Sequence, residues 1–314
     1  MRDFHLPFPK IEVGHKIKFK DSLCFLGSCF STNINEIALN HGYQSICNPF
    51  GTIFHPEPIL NCINDVIKES SDIDFIIDNQ YVTDWNSAHV FQSLNKKIHL
   101  EEVLAKRSLL REQLRGDSWL FITLGTSIGY RHKGLGKIVA NCHKQHLDTF
   151  EKIESSSTDM YTAWEPFVSN LLKWNPQLKI IFTVSPVRHV KDGLMANTQS
   201  KARLFTLIET LMKKFPIAYF PSYEIINDSL RDHRFYNDDL IHPNKTAINE
   251  IWTYLMSHYM LPEDQELAKK INKVKQAESH RKIHFNKTED DKLRKWLSKQ
   301  KTAITAALNE RKHH

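Results

Sequence analysis

Long apolar runs are missing from this chain. No stretch approaches the roughly 18 to 20 consecutive apolar residues that a helix needs to cross a bilayer. The opening residues, MRDFHLPFPK, hold no apolar segment of the signal-peptide kind. These two absences lead us to expect a cytoplasmic protein without a membrane partner. Cysteine is sparse and unpaired in pattern. Cys24, Cys29, Cys47, Cys62 and Cys142 are odd in number and include no C-x-x-C. That argues against a disulfide framework, a zinc cluster of this type and a thioredoxin-type motif. The 17 histidines include no H-E-x-x-H, and none sits with Cys or Asp in a tight run at ligand spacing. No metal is therefore expected. No Walker A sequence is present. Gly134 and Gly136, in KGLGK, lack the strand-turn-helix setting of a dinucleotide fingerprint, so no cofactor is expected either.

What remains is an ordinary globular composition, 41% hydrophobic and 25% charged over 314 residues. The formal net charge of +6 hints at a nucleic-acid partner, and its location weakens the hint. From Glu263 onward there are 14 Lys and Arg against 8 Asp and Glu, which leaves 28 of each before that point. The body is neutral, and the excess lies in a charged tail that reads as a solvated helical surface. A nucleic-acid arm is the less favoured reading.

Two parts are expected: a body over residues 1–262 and a helical C-terminal extension over 263–314. Short apolar runs at 23–26, 119–124, 180–184 and 217–220 read as buried strands. Helical spacing appears at 59–67, at Leu204, Leu207, Ile208 and Leu211, and at Ile248, Ile251, Trp252 and Leu255. Asn244 is placed to cap the last of these. Strands alternating with helices imply an α/β fold, a mainly parallel sheet covered on both faces. In such folds the functional crevice lies beyond the carboxyl ends of the strands. In the extension, Leu267, Ile271 and Val274 form one apolar stripe, and Leu293, Trp296, Leu297 and Ile304 another, with HRKIHFN (280–286) between them. Docking on the body is the expected role.

The first strand ends in Gly27-Ser28-Cys29, two adjacent nucleophiles at a strand-to-helix turn. Gly27 permits a tight turn. Backbone N–H groups at a helix start can hold an oxyanion or a thiolate. A nucleophile also needs a base, and the base an orienting carboxylate. YNDDLIHPN (236–244) supplies Asp239 and His242 at D-x-x-H spacing. That spacing alone is common. Joined to a nucleophile turn on the first strand of an alternating chain, it forms a candidate triad. His143 is an alternative base, with a structural histidine the preferred reading.

A glycine-turn nucleophile on the first strand followed by a late D-x-x-H resembles the SGNH/GDSL hydrolase superfamily. More specifically, GSCF (27–30) resembles the GSCFA family, although this chain continues with Ser31. NPFGTIFHP (48–56), ITLGTS (122–127), VANCHKQ (139–145), TVSPVRHVKDG (183–193), NTQSKARL (197–204), YFPSYEI (219–225) and RDHRFYNDDLIHPN (231–244) resemble further blocks of that family. The resemblance implies a three-layer α/β/α sandwich of SGNH-hydrolase or flavodoxin-like type. It implies ester hydrolysis or acyl transfer. Laying G-S-C on the superfamily's G-D-S puts Cys29 at the nucleophile position and Ser28 at the Asp position, and both stay open. A Cys beside a helix start and a His is expected to have a lowered pKa. For the oxyanion, Gly51 fits the second-block glycine. The superfamily's G-x-N-D reads Gly125-Thr126-Ser127-Ile128 here and lacks the Asn, so Asn141, Thr126 or Ser127 are the substitutes.

Arg188, His189, Lys201 and Arg234 fall in the same blocks and, if they converge, form a cationic rim for a phosphate or carboxylate. The alternative is internal pairing with Asp232, Asp238 or Glu224. The expected substrate is a small acylated molecule, a sugar or another polar metabolite. The rival expectation is a binding module for an anionic small molecule or acyl carrier that kept the fold and lost the chemistry.

Overall fold

The computed structural model describes residues 6–78, 80–279 and 287–312. At its centre β1 (Ser22–Gly27), β2 (Ser45–Cys47), β5 (Ser118–Leu124), β8 (Lys179–Val184) and β9 (Ala218–Tyr219) form one sheet in the order β2-β1-β5-β8-β9. Every pairing in it is parallel. The apolar runs of the sequence become β1, β5, β8 and β9. Edge strand β2 carried no apolar signal. Two antiparallel hairpins stand outside this sheet: β3 (Phe75–Ile77) with β4 (Val82–Asp84), and β6 (Ile128–His132) with β7 (Phe150–Glu154).

Side chains alternate across a strand, so each central strand feeds two cores. Cys24, Leu26, Leu120, Ile122, Leu124, Ile180, Phe182 and Val184 enter one. Helices α2 (Pro56–Ile67), α3 (Lys96–Gln113), α4 (Ser157–Trp174) and α5 (Leu194–Met212) cover it. Leu23, Phe25, Trp119, Phe121 and Ile181 enter the other. It is covered by α1 (Cys29–Asn40), α7 (Lys245–Tyr259) and α8 (Pro262–Ser279). This is the three-layer α/β/α arrangement. A single turn, α6 (Ser222–Glu224), follows β9. Each fully buried Leu, Ile or Phe in these layers contributes about 1.5–3 kcal/mol.

The extension docks on the second core. Leu267, Ala268 and Ile271 of α8 join that core, and Ile304, Ala307 and Leu308 of α9 (Lys287–Lys312) pack against it. Buried Asp264 accepts from Phe19 N–H at 3.2 Å and from Arg311 Nε at 2.6 Å. Lys273 lies over the Trp296 ring. The HRKIHFN segment between the two stripes lies outside the described residues. No helix among the described residues is long and apolar enough to cross a membrane.

Candidate active site

Parallel strands bring the ends of β1, β5 and β8 to one edge, and the candidate residues follow from there. At the end of β1 the chain turns sharply. Gly27 has φ +122°, and a Cβ there would stand 2.1 Å from Thr123 O. No other residue fits this close approach of β1 and β5. Ser28 N–H donates to Thr123 O at 3.1 Å. Ser28 is the N-cap of α1, its Oγ accepting from Phe30 N–H at 3.3 Å, and its side chain is buried. Cys29 is the first residue of α1 and is partly exposed. The two adjacent nucleophiles thus have different surroundings. One is committed to a cap and the other faces out.

Burial pushes the Cys29 thiol up, while the Cys29 and Phe30 N–H groups and then Lys201 pull it down; Asp239 also pushes it up. The net shift is upward. This corrects the expectation of a lowered pKa, because desolvation outweighs the helix start. Cys29 therefore rests as a thiol at neutral pH.

Asp239 and His242 lie on the loop before α7. Asn244 caps that helix, its Oδ1 accepting from Ala247 N–H, and its amide holds Arg234 O and Tyr236 O. Asn237 N–H donates to His242 O, and Leu240 takes φ +56° to close the turn. Asp239 Oδ1 accepts from the Ile241 and His242 N–H groups at 2.8 and 2.9 Å, and Oδ2 meets His242 Nδ1 at 2.7 Å. Those N–H bonds, with the imidazole, hold the Asp239 carboxyl down at about 2. Nδ1–H therefore faces the carboxylate, and Nε2 is left as the proton acceptor.

The cationic set divides. Arg188 is half-buried, donates to Tyr236 OH at 3.3 Å and lies over that ring. Among the described residues it has no carboxylate partner. Arg234 instead pairs with Asp232 at 3.0 Å on the exposed surface, so it takes the internal-pairing alternative rather than the rim. His189 is held by its N–H to Asn197 Oδ1 and by Phe54 edge-on at 5.0 Å. Burial lowers its pKa to about 4, with Lys201 and His242 adding to the effect, so it contributes no charge at neutral pH. Lys201 is no rim residue either. It is 2% exposed, and its Nζ donates to Gly125 O at 2.6 Å and Ser185 O at 2.8 Å. His143 is buried beside the rings of Trp85 and His89, and its two ring nitrogens have no hydrogen-bond partner among the described residues.

The oxyanion expectations need correction at two positions. Gly51 N–H already donates to Asn48 O at 2.8 Å, and a Cβ at Gly51 would meet Ala88 Cβ at 2.5 Å. It is a turn and packing glycine. Thr126 N–H donates to Phe54 O at 3.2 Å, and its hydroxyl is shared between Ser200 Oγ and Ile128 N–H. Buried Ser127 is likewise tied to Ser200. Asn141 uses its Oδ1 for His143 N–H and keeps an amide N–H₂ to offer. It lines a cavity of about 350 Å³ with Phe54, Thr126, Tyr130, Cys142 and His189. Sequence reasoning missed Asn48, whose Oδ1 accepts from Gly27 N–H at 2.8 Å and braces the Gly27-Ser28-Cys29 turn. An Asn-Pro-x-Gly turn was the available signal.

Cys29 feels the charges of Lys201 and Asp239, His189 those of Lys201 and His242, and Lys201 those of Cys29 and Arg188. These six groups therefore lie within electrostatic reach of their neighbours around the carboxyl edge of the sheet. Among the described residues no hydrogen bond joins Cys29 to His242. Such contacts are loose without substrate.

No curated protein matches the chain. Among solved structures, a carbohydrate esterase family 3 protein from Talaromyces cellulolyticus aligns with TM-score 0.35 and 9% identity over 79% of this chain and 98% of its own. An acetyl xylan esterase from the rumen bacterium Butyrivibrio proteoclasticus aligns with TM-score 0.36 and 12% identity over 79% of this chain and 66% of its own. The sequence pattern of the GSCFA family matches residues 22–255, which include the Gly27-Ser28-Cys29 turn, the Asp239–His242 loop and every strand of the central sheet, and the chain belongs to that family.

Proposed function

We propose that this protein cleaves or transfers an acyl ester through the Cys29 thiol, with His242 as base and Asp239 as its orienting carboxylate. The observation that carries this reading is the Asp239–His242 bond of 2.7 Å. It fixes one tautomer and leaves Nε2 as the proton acceptor, and Asp239 lies within electrostatic reach of the partly exposed thiol at the start of α1. His242 Nε2 takes the thiol proton as Cys29 Sγ attacks the acyl carbonyl. The Cys29 N–H at the start of α1 and the Asn141 amide are the oxyanion donors in this scheme. The C–O bond then breaks, His242 returns the proton to the leaving alkoxide, and a thioester remains on Cys29. Water or a second alcohol attacks the thioester, gives its proton to His242 and releases the thiolate, which regains that proton.

Arg188, without a carboxylate partner among the described residues, suits an anionic group on a polar acylated substrate such as a sugar or another polar metabolite. The committed N–H groups of Gly51 and Thr126 favour a second reading, a binding module without turnover.

Wild type, Cys29→Ala and His242→Ala, incubated with p-nitrophenyl acetate and a thiol-directed probe, separate the two. Turnover and labelling that both disappear in Cys29→Ala and slow by about 10²–10⁴-fold in His242→Ala support the triad. Undiminished turnover in Cys29→Ala removes it. A wild type with no burst, no turnover and no selective labelling gives the binding module the stronger claim.

A further inference from the structure

Lys201 has a placement that substrate contact does not explain. The residue is 2% exposed, and lysine is almost never buried to this degree without a carboxylate. Among the described residues no carboxylate pairs with it. Two of its three donors are bound to Gly125 O and Ser185 O. These carbonyls lie just past the ends of β5 and β8, which pair through Leu124 and Val184. On its other side β5 pairs with β1 through Thr123 and Gly27, two residues before Cys29. Neighbouring strands are about 4.8 Å apart. Nζ is therefore pinned at the strand edge roughly one strand from the Cys29 turn, with one N–H uncommitted to a carbonyl.

A desolvated cation without an anion is an incomplete electrostatic pair. The anion that completes it appears only during the reaction, when Cys29 loses its proton. Building on the Cys29 reading above, we infer that Lys201 is a positioning residue that acts through Cys29 as the fixed counter-charge of its thiolate. It moves no proton to or from substrate. Its two carbonyl bonds hold the charge in place, so no reorganisation is needed when the sulfur becomes negative. The coupling runs both ways. Burial lowers Lys201 to about 7, and the Cys29 thiolate is the first influence opposing that shift. Lys201 is in turn the side-chain cation that pulls Cys29 down.

The test is the pH profile of Cys29 alkylation by iodoacetamide in wild type and Lys201→Met, which needs no ester substrate. Near pH 7 the variant alkylates about tenfold more slowly, corresponding to one pKa unit of lost thiolate. The two rates converge toward pH 10, where Lys201 is neutral in the wild type. A ratio that stays constant across the range overturns the pair, because a packing role slows reaction at every pH. If Lys201→Met fails to fold, the reciprocal arm decides. Lysine Cε resonances are followed through the titration in Cys29→Ala and Cys29→Asp, the Asp supplying at neutral pH the anion that the resting thiol lacks. The Lys201 midpoint lies higher in Cys29→Asp than in Cys29→Ala, and equal midpoints overturn the pair. An unshifted profile with ester turnover intact removes the pair alone. A shifted profile without turnover removes the proposed reaction and leaves the pair standing.

Discussion

Ser28 Oγ accepts the Phe30 N–H, and Cys29 begins the helix that this bond caps. The two neighbours therefore divide their work, and replacing Ser28 tests the division. Loss of such a cap costs about 1 kcal/mol. Ser28→Ala should lower the melting temperature by about 2 °C while Cys29 labelling and ester turnover stay within about twofold. Differential scanning calorimetry and the labelling assay check this. Abolished turnover in a folded Ser28→Ala, with Cys29 unlabelled in the wild type, moves the chemistry to serine.

Gly27 has no room for any side chain. A Cβ would meet Thr123 O at 2.1 Å, and φ is +122°, so Gly27→Ala must push β1 away from β5. We expect a loss of about 4 kcal/mol or more, seen as failure to recover folded protein or a collapsed urea midpoint. Gly116→Ala is the control. Gly116 also has positive φ, +67°, yet nothing lies within 4 Å of its added Cβ. The cost there is the left-handed backbone alone, about 1–2 kcal/mol.

These positions also show what a sequence can reveal. Strands β1, β5 and β8 were legible because burial on both faces writes a continuous apolar run. Strand β2 was not, since its three half-exposed residues, Ser45-Ile46-Cys47, leave no pattern. Helix α4 was hidden by Pro166 within it, although the Ser156–Asp159 capping box announces its start. Asp239 and His242 were legible because their partnership is local. The committed N–H groups of Gly51 and Thr126 were not, because tertiary contacts decide which backbone donors are free. Lys201 read as a rim residue because lysines are mostly exposed; its two carbonyls lie just past strand ends 76 and 16 residues away in sequence.

A Ser–His–Asp chain stands elsewhere in the molecule, its His–Asp distance close to that of His242 and Asp239. Ser93 Oγ lies 3.1 Å from His99 Nδ1, and His99 Nε2 lies 2.9 Å from Asp84 Oδ2. Ser87 adds a 2.6 Å bond to the same carboxylate, and Ser93 also reaches Glu102. His99 is fully buried between Phe75 and Phe91, so no acyl group reaches it. The network ties β4 to α3. Breaking a buried pair of this kind costs about 3–5 kcal/mol. His99→Leu should show that loss in urea unfolding, and the milder Ser93→Ala should keep ester turnover within about twofold of wild type. Loss of turnover in a folded Ser93→Ala would show that this network takes part in the reaction.

His55 sets an acid limit on the fold. Its Nδ1 accepts from Glu57 N–H at 3.2 Å and caps α2. The proton must then sit on Nε2, which donates to Ser155 Oγ at 3.1 Å. A second proton has no place, and burial lowers the pKa to about 4. An unfolded His titrates near 6.5. As pH falls below about 6.5 the unfolded chain takes up the proton and the folded one does not, so stability falls until about pH 4. The full effect is about 3 kcal/mol, of which about 2 kcal/mol is lost by pH 5. Asn at position 55 keeps a capping oxygen and cannot titrate. Urea unfolding at pH 7, 6 and 5 should therefore show a shallower decline in His55→Asn than in wild type, by about 2 kcal/mol at pH 5. Parallel declines would mean that the imidazole accepts its second proton in the folded state, and that the α2 cap does not depend on the free Nδ1 lone pair.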